Sequence, residues 1–424
     1  MERERLRDLE SVMKWGMPIA REKVTPKCSE RESPSSHPVQ ANIFDYLEWR
    51  GDVPFSTDPF NEVDNLVLAE LAYTDFDDVV APQGEPVSVR AVRDRYFRLH
   101  TRAEVRGRRT FTGPAPLLLD PLADSVRYRD MRIAWYRNHV SVKESVQMAA
   151  VTLWPGDGTV YAAFRGTDNT LVGWKEDFNF SYLTETPGQR MAVEYLNERF
   201  RDGSLPIRVG GHSKGGNFAV YASVFCDEGV RRRIRDVFTN DGPGFANAVT
   251  RLPAYRDLAS RIVSIVPEDS LVGILMNSAV DHRIIRSSNR GPTAHDALSW
   301  LVRGNRFIPV EERSGFSVFF ERSMRAWLAD LSDGEKRRFV ESIFGVLEST
   351  GSRTLEEMGQ TPVQSALAIL RAARGLSPDR QRQILAILTR LAVTGGTVFA
   401  QNVNGGASEF RRRLSDWLRG GPVD

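Results

Sequence analysis

Cysteine is nearly missing from this chain of 424 residues, with only Cys28 and Cys226 present. They lie far apart in unrelated contexts, which argues against a structural disulfide and for a reducing compartment, so a cytoplasmic location is expected. Charge of one sign is also missing. The 57 basic and 55 acidic residues nearly cancel, and no global field points to nucleic acid. No uncharged apolar run reaches the ~20 residues of a membrane span. The nearest approach, residues 391–407, is interrupted by glycines and asparagines. The opening Met1-Glu2-Arg3-Glu4-Arg5 is not followed by the apolar stretch of a secretory signal. What is present, 41% hydrophobic and 26% charged residues, is the ordinary composition of a globular protein. The length accommodates one large α/β domain with an appendage. Peripheral contact with a membrane is left open.

Residues 1–40 are charged, then polar, ending in Ser33-Pro34-Ser35-Ser36-His37-Pro38. That composition buries little surface and predicts disorder or a frayed helix. Helical spacing begins at Asn42–Trp49 and continues at Glu62–Tyr73. Leu122–His139 is also expected to be a helix. Met148–Trp154 and Thr159–Phe164, separated by Pro155-Gly156-Asp157-Gly158, predict a hairpin. Ile207–Val209, Arg235–Thr239 and Arg261–Val266 are further strand signals with helical stretches between them. Such alternation predicts a mostly parallel sheet flanked by helices over residues 41–310. From 311 to 424 helix signals dominate, including a capping-box pattern at Ser332-x-x-Glu335.

The densest chemical signal is Gly210-Gly211-His212-Ser213-Lys214-Gly215-Gly216, between the strand at Ile207 and a small-residue helix beginning near Ala219. Gly211-x-Ser213-x-Gly215 matches a nucleophile elbow, which holds a serine in a tight strand-to-helix turn where flanking side chains must be nearly absent. The following helix turns its N-terminal N–H groups toward such a serine. A second motif, Phe164-Arg165-Gly166-Thr167-Asp168, ends an earlier strand. In this arrangement the main-chain N–H groups of Lys214 and Thr167 are the candidate oxyanion donors. No metal or cofactor motif is found.

Together, Phe164-Arg165-Gly166-Thr167, Trp174-x-x-Asp177 and Gly211-His212-Ser213-x-Gly215-Gly216 resemble the signatures of the class 3 lipases. The segment Asn42–Asp52 is similar to the opening of a bacterial lipase-like family of unknown function. The resemblance covers about residues 41–300. It implies an α/β-hydrolase fold, a Ser-Asp-His triad acting through an acyl-enzyme on carboxylic, lipid-like esters, and no cofactor. It also sets Trp174 and Asp177 beside the oxyanion loop. The acid belongs after the serine, at the end of a later strand. Asp269, which follows Arg261–Val266, matches the lipase aspartate, with Glu268 and Asp241 as alternatives. Only His282 and His295 follow Asp269. His282 sits in an expected strand, whereas His295 lies at a loop-to-helix junction inside a family-like His295-Asp296-x-x-x-Trp300 segment, so His295 is the expected base. His212 adjoins the serine and is expected to pack beneath the turn.

Lys214 stands where lipases usually carry an apolar residue. Its cation would either favour an anionic substrate or point to solvent. The apolar Leu271–Met276 could line an acyl pocket, form a lid or be an ordinary buried element. Two other functions fit the same residues: an acyltransferase or thioesterase with this triad, and a silent hydrolase fold that binds partners. Oligomeric state is not encoded in any motif.

Overall fold

The computed structural model describes residues 41–341 apart from 109, 111, 168–170, 181, 330 and 339. The expectations for residues 1–40, for Asp168 and for the helices beyond 341 lie outside the described residues.

One sheet of eight strands in the order β1-β2-β3-β4-β5-β6-β7-β8 organises the chain. The strands are β1 (Val87–Ser88), β2 (Arg132–Ser141), β3 (Val146–Trp154), β4 (Val160–Arg165), β5 (Ile207–His212), β6 (Ile234–Asn240), β7 (Ile262–Pro267) and β8 (His282–Ile285). Pairing is antiparallel from β1 to β4, including the expected β3–β4 hairpin, and parallel from β4 to β8. The helices before the parallel half are α1 (Ile43–Arg50), α2 (Glu62–Leu71), α3 (Val89–Leu99), α4 (Arg102–Gly107) and α5 (Leu119–Asp124). Those within it are α6 (Leu171–Asn179), α7 (Pro187–Phe200), α8 (Lys214–Phe225), α9 (Glu228–Arg231), α10 (Asn247–Thr250) and α11 (Pro253–Leu258), and α12 (Gly315–Ala329) follows it. This is the α/β-hydrolase architecture, a mostly parallel sheet with flanking helices.

Strand alternation divides the interior into two cores. Along fully buried β4, Tyr161 and Ala163 join α1, α2, α3 and α5 on one face, while Val160, Ala162 and Phe164 join α7, α8 and α11 on the other. Burial on both faces explains why the parallel strands are apolar runs instead of alternating ones.

Helix α2 sets the floor of the site. Asn61 caps it through the amides of Val63 and Asp64, and the Asp64 carboxylate returns to the Asn61 amide. Every residue from Val63 to Leu71 is buried, so its polar side chains must find partners inside the protein. Asp64 takes the Arg127 guanidinium at 2.5 Å, and hydrogen bonds from Tyr46 and Tyr128 complete its shell. Asn65 accepts from the Tyr161 hydroxyl at 2.7 Å and donates to Asn240 Oδ1 at 2.9 Å, and Asn240 in turn donates to the Gly211 carbonyl at 3.1 Å.

The expected helix over Leu122–His139 is a correction. Only α5 is helical there, and residues from Arg132 form β2. A bulge between Ala134 and Arg137 inserts one extra residue opposite β3, with Trp135 at φ 59°. It moves Ile133, Tyr136 and Val140 to intervals of three and four, which mimic a helix. Further on, Ser332 and Glu335 do form the capping box, with Glu335 Oε2 accepting from the Ser332 amide at 2.9 Å. Helix α12 is tied to the end of β7, where its Ser317 hydroxyl donates to the Ser270 carbonyl at 2.7 Å.

Candidate active site

The turn from β5 to α8 is as tight as its glycines suggest. A Cβ on Gly211 would lie 2.4 Å from the Gly215 main chain, and one on Gly215 would lie 2.1 Å from the Phe164 carbonyl oxygen. Only glycine fits, and the first turn of α8 is thereby pressed against the end of β4. Between them Ser213 has φ 57° and ψ −132°, a backbone conformation that costs a non-glycine residue about 1–3 kcal/mol and recurs at functional sites.

Ser213 Oγ lies 3.0 Å from His295 Nε2. His295 enters from the short 3-10 turn Gly291–His295 after β8, and its Nδ1 lies 2.6 Å from Asp241 Oδ2. Asp241 is fully buried. Its other oxygen accepts from the Ser270 hydroxyl at 2.5 Å and the Gly273 amide at 3.0 Å. Burial opposes its ionisation, but the hydrogen bonds and charge of His295, with Ser270, outweigh that and hold its carboxyl below the ordinary aspartate value.

The carboxylate beside His295 is therefore Asp241, and the expectation for Asp269 is corrected. Asp269 Oδ2 accepts from the Gly291 amide at 3.0 Å and lies 3.8 Å from the Arg290 guanidinium, which Glu268 meets at 2.9 Å. Both acids brace the loop leading to His295. Sheet order is the reason. β6 pairs directly with β5, with Asn240 opposite His212, whereas β7 is one strand further away, and each strand adds about 4.8 Å. The signal for Asp241 is its place immediately after β6 in a Gly242-Pro243-Gly244 turn. There it adopts φ 48°, which aspartate tolerates better than most residues. His282 stays in the sheet, 2.8 Å from the Ser264 hydroxyl.

His212 is buried beneath the turn. Burial, reinforced by the charge of His295, pulls its pKa down to about 3, so its ring is neutral. Its Nε2–H donates to the His295 carbonyl at 2.9 Å, and its Nδ1 accepts from the Tyr73 hydroxyl at 3.1 Å. Glu70 Oε1 lies 3.3 Å from the same nitrogen, and burial lifts the Glu70 carboxyl well above the ordinary range. Of these three, His212 is the residue expected beneath the turn, and Glu70 and Tyr73 are the ones sequence reasoning missed. The polar residues on α2's otherwise apolar pattern were the available clue.

On the facing loop the Thr167 hydroxyl donates to Asp177 Oδ2 at 2.5 Å. Burial pushes the Asp177 carboxyl up to about 6, against the opposing pull of the Lys214 ammonium and the Thr167 hydroxyl. Trp174 lies in α6, and its side chain is outside the described residues. Lys214 corrects both expectations made for it. It is fully buried, and its Nζ donates to Glu176 at 3.1 Å, Gln147 at 3.3 Å and the Gly173 carbonyl at 3.4 Å. Among the described residues no cluster of three His, Cys, Asp or Glu side chains could hold a metal ion, and no helix is long and apolar enough to cross a membrane.

The family model described as Mbeg1-like matches residues 122–345, more than half of the chain, and spans Thr167, Ser213, Asp241 and His295. The chain belongs to the Mbeg1-like family. It is a lipase-like α/β-hydrolase. Among solved structures this Mbeg1-like chain is similar to M37 lipase, at 17% identity and a TM-score of 0.32, over 50% of this chain and 69% of that one. It is also similar to a substituted form of MDLA from Penicillium cyclopium, at 12% identity and a TM-score of 0.35, over 60% of this chain and 87% of that one. No match was found among curated proteins.

Proposed function

We propose that this Mbeg1-like chain is a serine hydrolase that cleaves carboxylic, lipid-like esters through an acyl-enzyme, with Ser213 as nucleophile, His295 as base and Asp241 as acid. The supporting observation is the unbroken relay from Ser213 Oγ through His295 to Asp241, at 3.0 and 2.6 Å. In this scheme His295 Nε2 takes the Ser213 proton as Oγ attacks the ester carbonyl. Asp241 holds the proton on Nδ1 and stabilises the imidazolium. The tetrahedral oxyanion accepts from the main-chain N–H groups of Lys214, at the start of α8, and Thr167, after β4. A preorganised donor of this kind contributes about 3 kcal/mol. Collapse expels the alcohol, which leaves with the proton from His295. Water, activated by the same imidazole, then cleaves the acyl-enzyme and returns the proton to Ser213.

Buried Cys226, which forms no disulfide among the described residues, suits a reducing compartment, and on that ground we place the protein in the cytoplasm. The test is covalent labelling by a fluorophosphonate, together with turnover of nitrophenyl esters of graded chain length. Wild-type protein should label and turn over, and the Ser213→Ala variant should do neither while keeping its circular dichroism spectrum. Labelling that persists at full strength in Ser213→Ala would refute the assignment.

A further inference from the structure

We infer that the buried Lys214–Glu176 ion pair positions the oxyanion donors, so that Lys214 serves acyl transfer through its main-chain amide and, at a distance, through its ammonium. The inference rests on the hydrolase reading above. Lys214 is the residue after the serine, and its side chain runs back to α6, the helix that follows the Thr167 loop. Nζ is held by three oxygens from two segments: Glu176 Oε2 and the Gly173 carbonyl in α6, and Gln147 Oε1 in β3. Glu176 extends the junction, since its Oε2 also accepts from the Gln147 amide at 3.0 Å and its Oε1 accepts from the Gly188 amide at 3.0 Å. One carboxylate thus ties β3, α6 and the start of α7 to the elbow.

The packing leaves no slack. A Cβ on Gly173 would lie 2.3 Å from Gln147 Oε1 and 2.6 Å from Thr167 Cγ2, and one on Gly188 would lie 2.4 Å from Glu176 Oε1. A displacement of the Lys214 ammonium is therefore passed through Gly173 to Thr167. Both charged side chains have no solvent exposure. Apolar residues of similar volume would commonly be as stable there. What charges add is direction, because one ammonium satisfies three fixed oxygens in only one arrangement, and oxyanion donors act only when held to within about 0.5 Å.

The test uses full-length Lys214→Met, Glu176→Gln and the double variant, in which neither partner is left as a buried lone charge. Steady-state hydrolysis of a nitrophenyl ester and the fluorophosphonate labelling rate are read on each. The double variant should fold, lose about 100-fold in kcat and keep KM within about 3-fold, with labelling slowed in parallel. Glu176→Gln, which preserves shape, should lose less. A double variant with wild-type kcat and merely lower thermal stability would make the pair structural and overturn the inference alone. Wild-type protein inert to both label and ester would overturn the hydrolase reading and this inference with it.

Discussion

Replacing Asp241 by asparagine should lower the proposed ester hydrolysis far more than the same change at Asp269. Asp241 is fully buried and accepts three hydrogen bonds, from His295 Nδ1, the Ser270 hydroxyl and the Gly273 amide. An asparagine keeps the shape, and its oxygen can retain Ser270 and Gly273. Its NH2 group then faces His295 Nδ1, and a donor there drives the ring proton to Nε2. The imidazole would present N–H to Ser213 in place of a lone pair and could not act as base. In serine hydrolases an acid-to-amide change of this kind lowers kcat about 10,000-fold, which is about 5.5 kcal/mol of transition-state stabilisation. At Asp269 the contact to replace is the Gly291 amide at 3.0 Å, which an asparagine oxygen accepts equally well. That variant should stay within about 3-fold of wild type, at a cost below ~1 kcal/mol. The assay is initial-rate hydrolysis of a short nitrophenyl ester, with near-ultraviolet circular dichroism to confirm the fold. If Asp269→Asn loses a thousandfold or more while Asp241→Asn stays within tenfold, the relay through Asp241 is not the working one.

Gly211→Ala should fail to fold or lose several kcal/mol of stability, because the new methyl carbon would lie 2.4 Å from Gly215 backbone atoms and overpacking against rigid main chain is costly; a wild-type urea midpoint would contradict this. Asp177 makes stability pH-dependent. Its folded pKa of about 6 lies above the ordinary aspartate value of about 3.9, so the folded state keeps its proton longer than the unfolded chain. The penalty is absent below about pH 4 and complete above about pH 6, and amounts to roughly 3 kcal/mol. Asp177→Asn should remove that loss, narrowing the difference between urea-derived stabilities at pH 4.5 and 7.5. An unchanged difference would show that Asp177 titrates normally.

Much of the scaffold was legible because local rules and the fold agree. The β3–β4 hairpin follows from two apolar runs around a Pro-Gly turn, and the elbow from glycines whose missing side chains the backbone requires. Ser213 and His295, 82 residues apart, lie 3.0 Å from each other as the motif order suggests. What stayed hidden depends on neighbours across the sheet. Asp241 and Asp269 both follow strands, and only the pairing of β5 with β6 decides which one reaches His295. The course of Lys214 depends on Glu176, 38 residues earlier, and a residue in the first turn of a helix carries no mark of its direction. In β2 a single bulged residue was enough to turn a strand's periodicity into that of a helix.

The links from α2 to Gly211 through Asn65 and Asn240 set a lower limit on the folded unit that carries the candidate site. The family match begins at residue 122, yet Asp64, Asn65, Glu70 and Tyr73 all precede it. A fragment trimmed to that match would lack the Asp64 carboxylate that Arg127 pairs with and the Asn65 link to Asn240. It would also uncover the face of β4 that carries Tyr161 and Ala163. The hydrolase fold therefore starts well upstream of its recognisable signature, and expression boundaries or domain fusions should respect the chain from Ala41 onward.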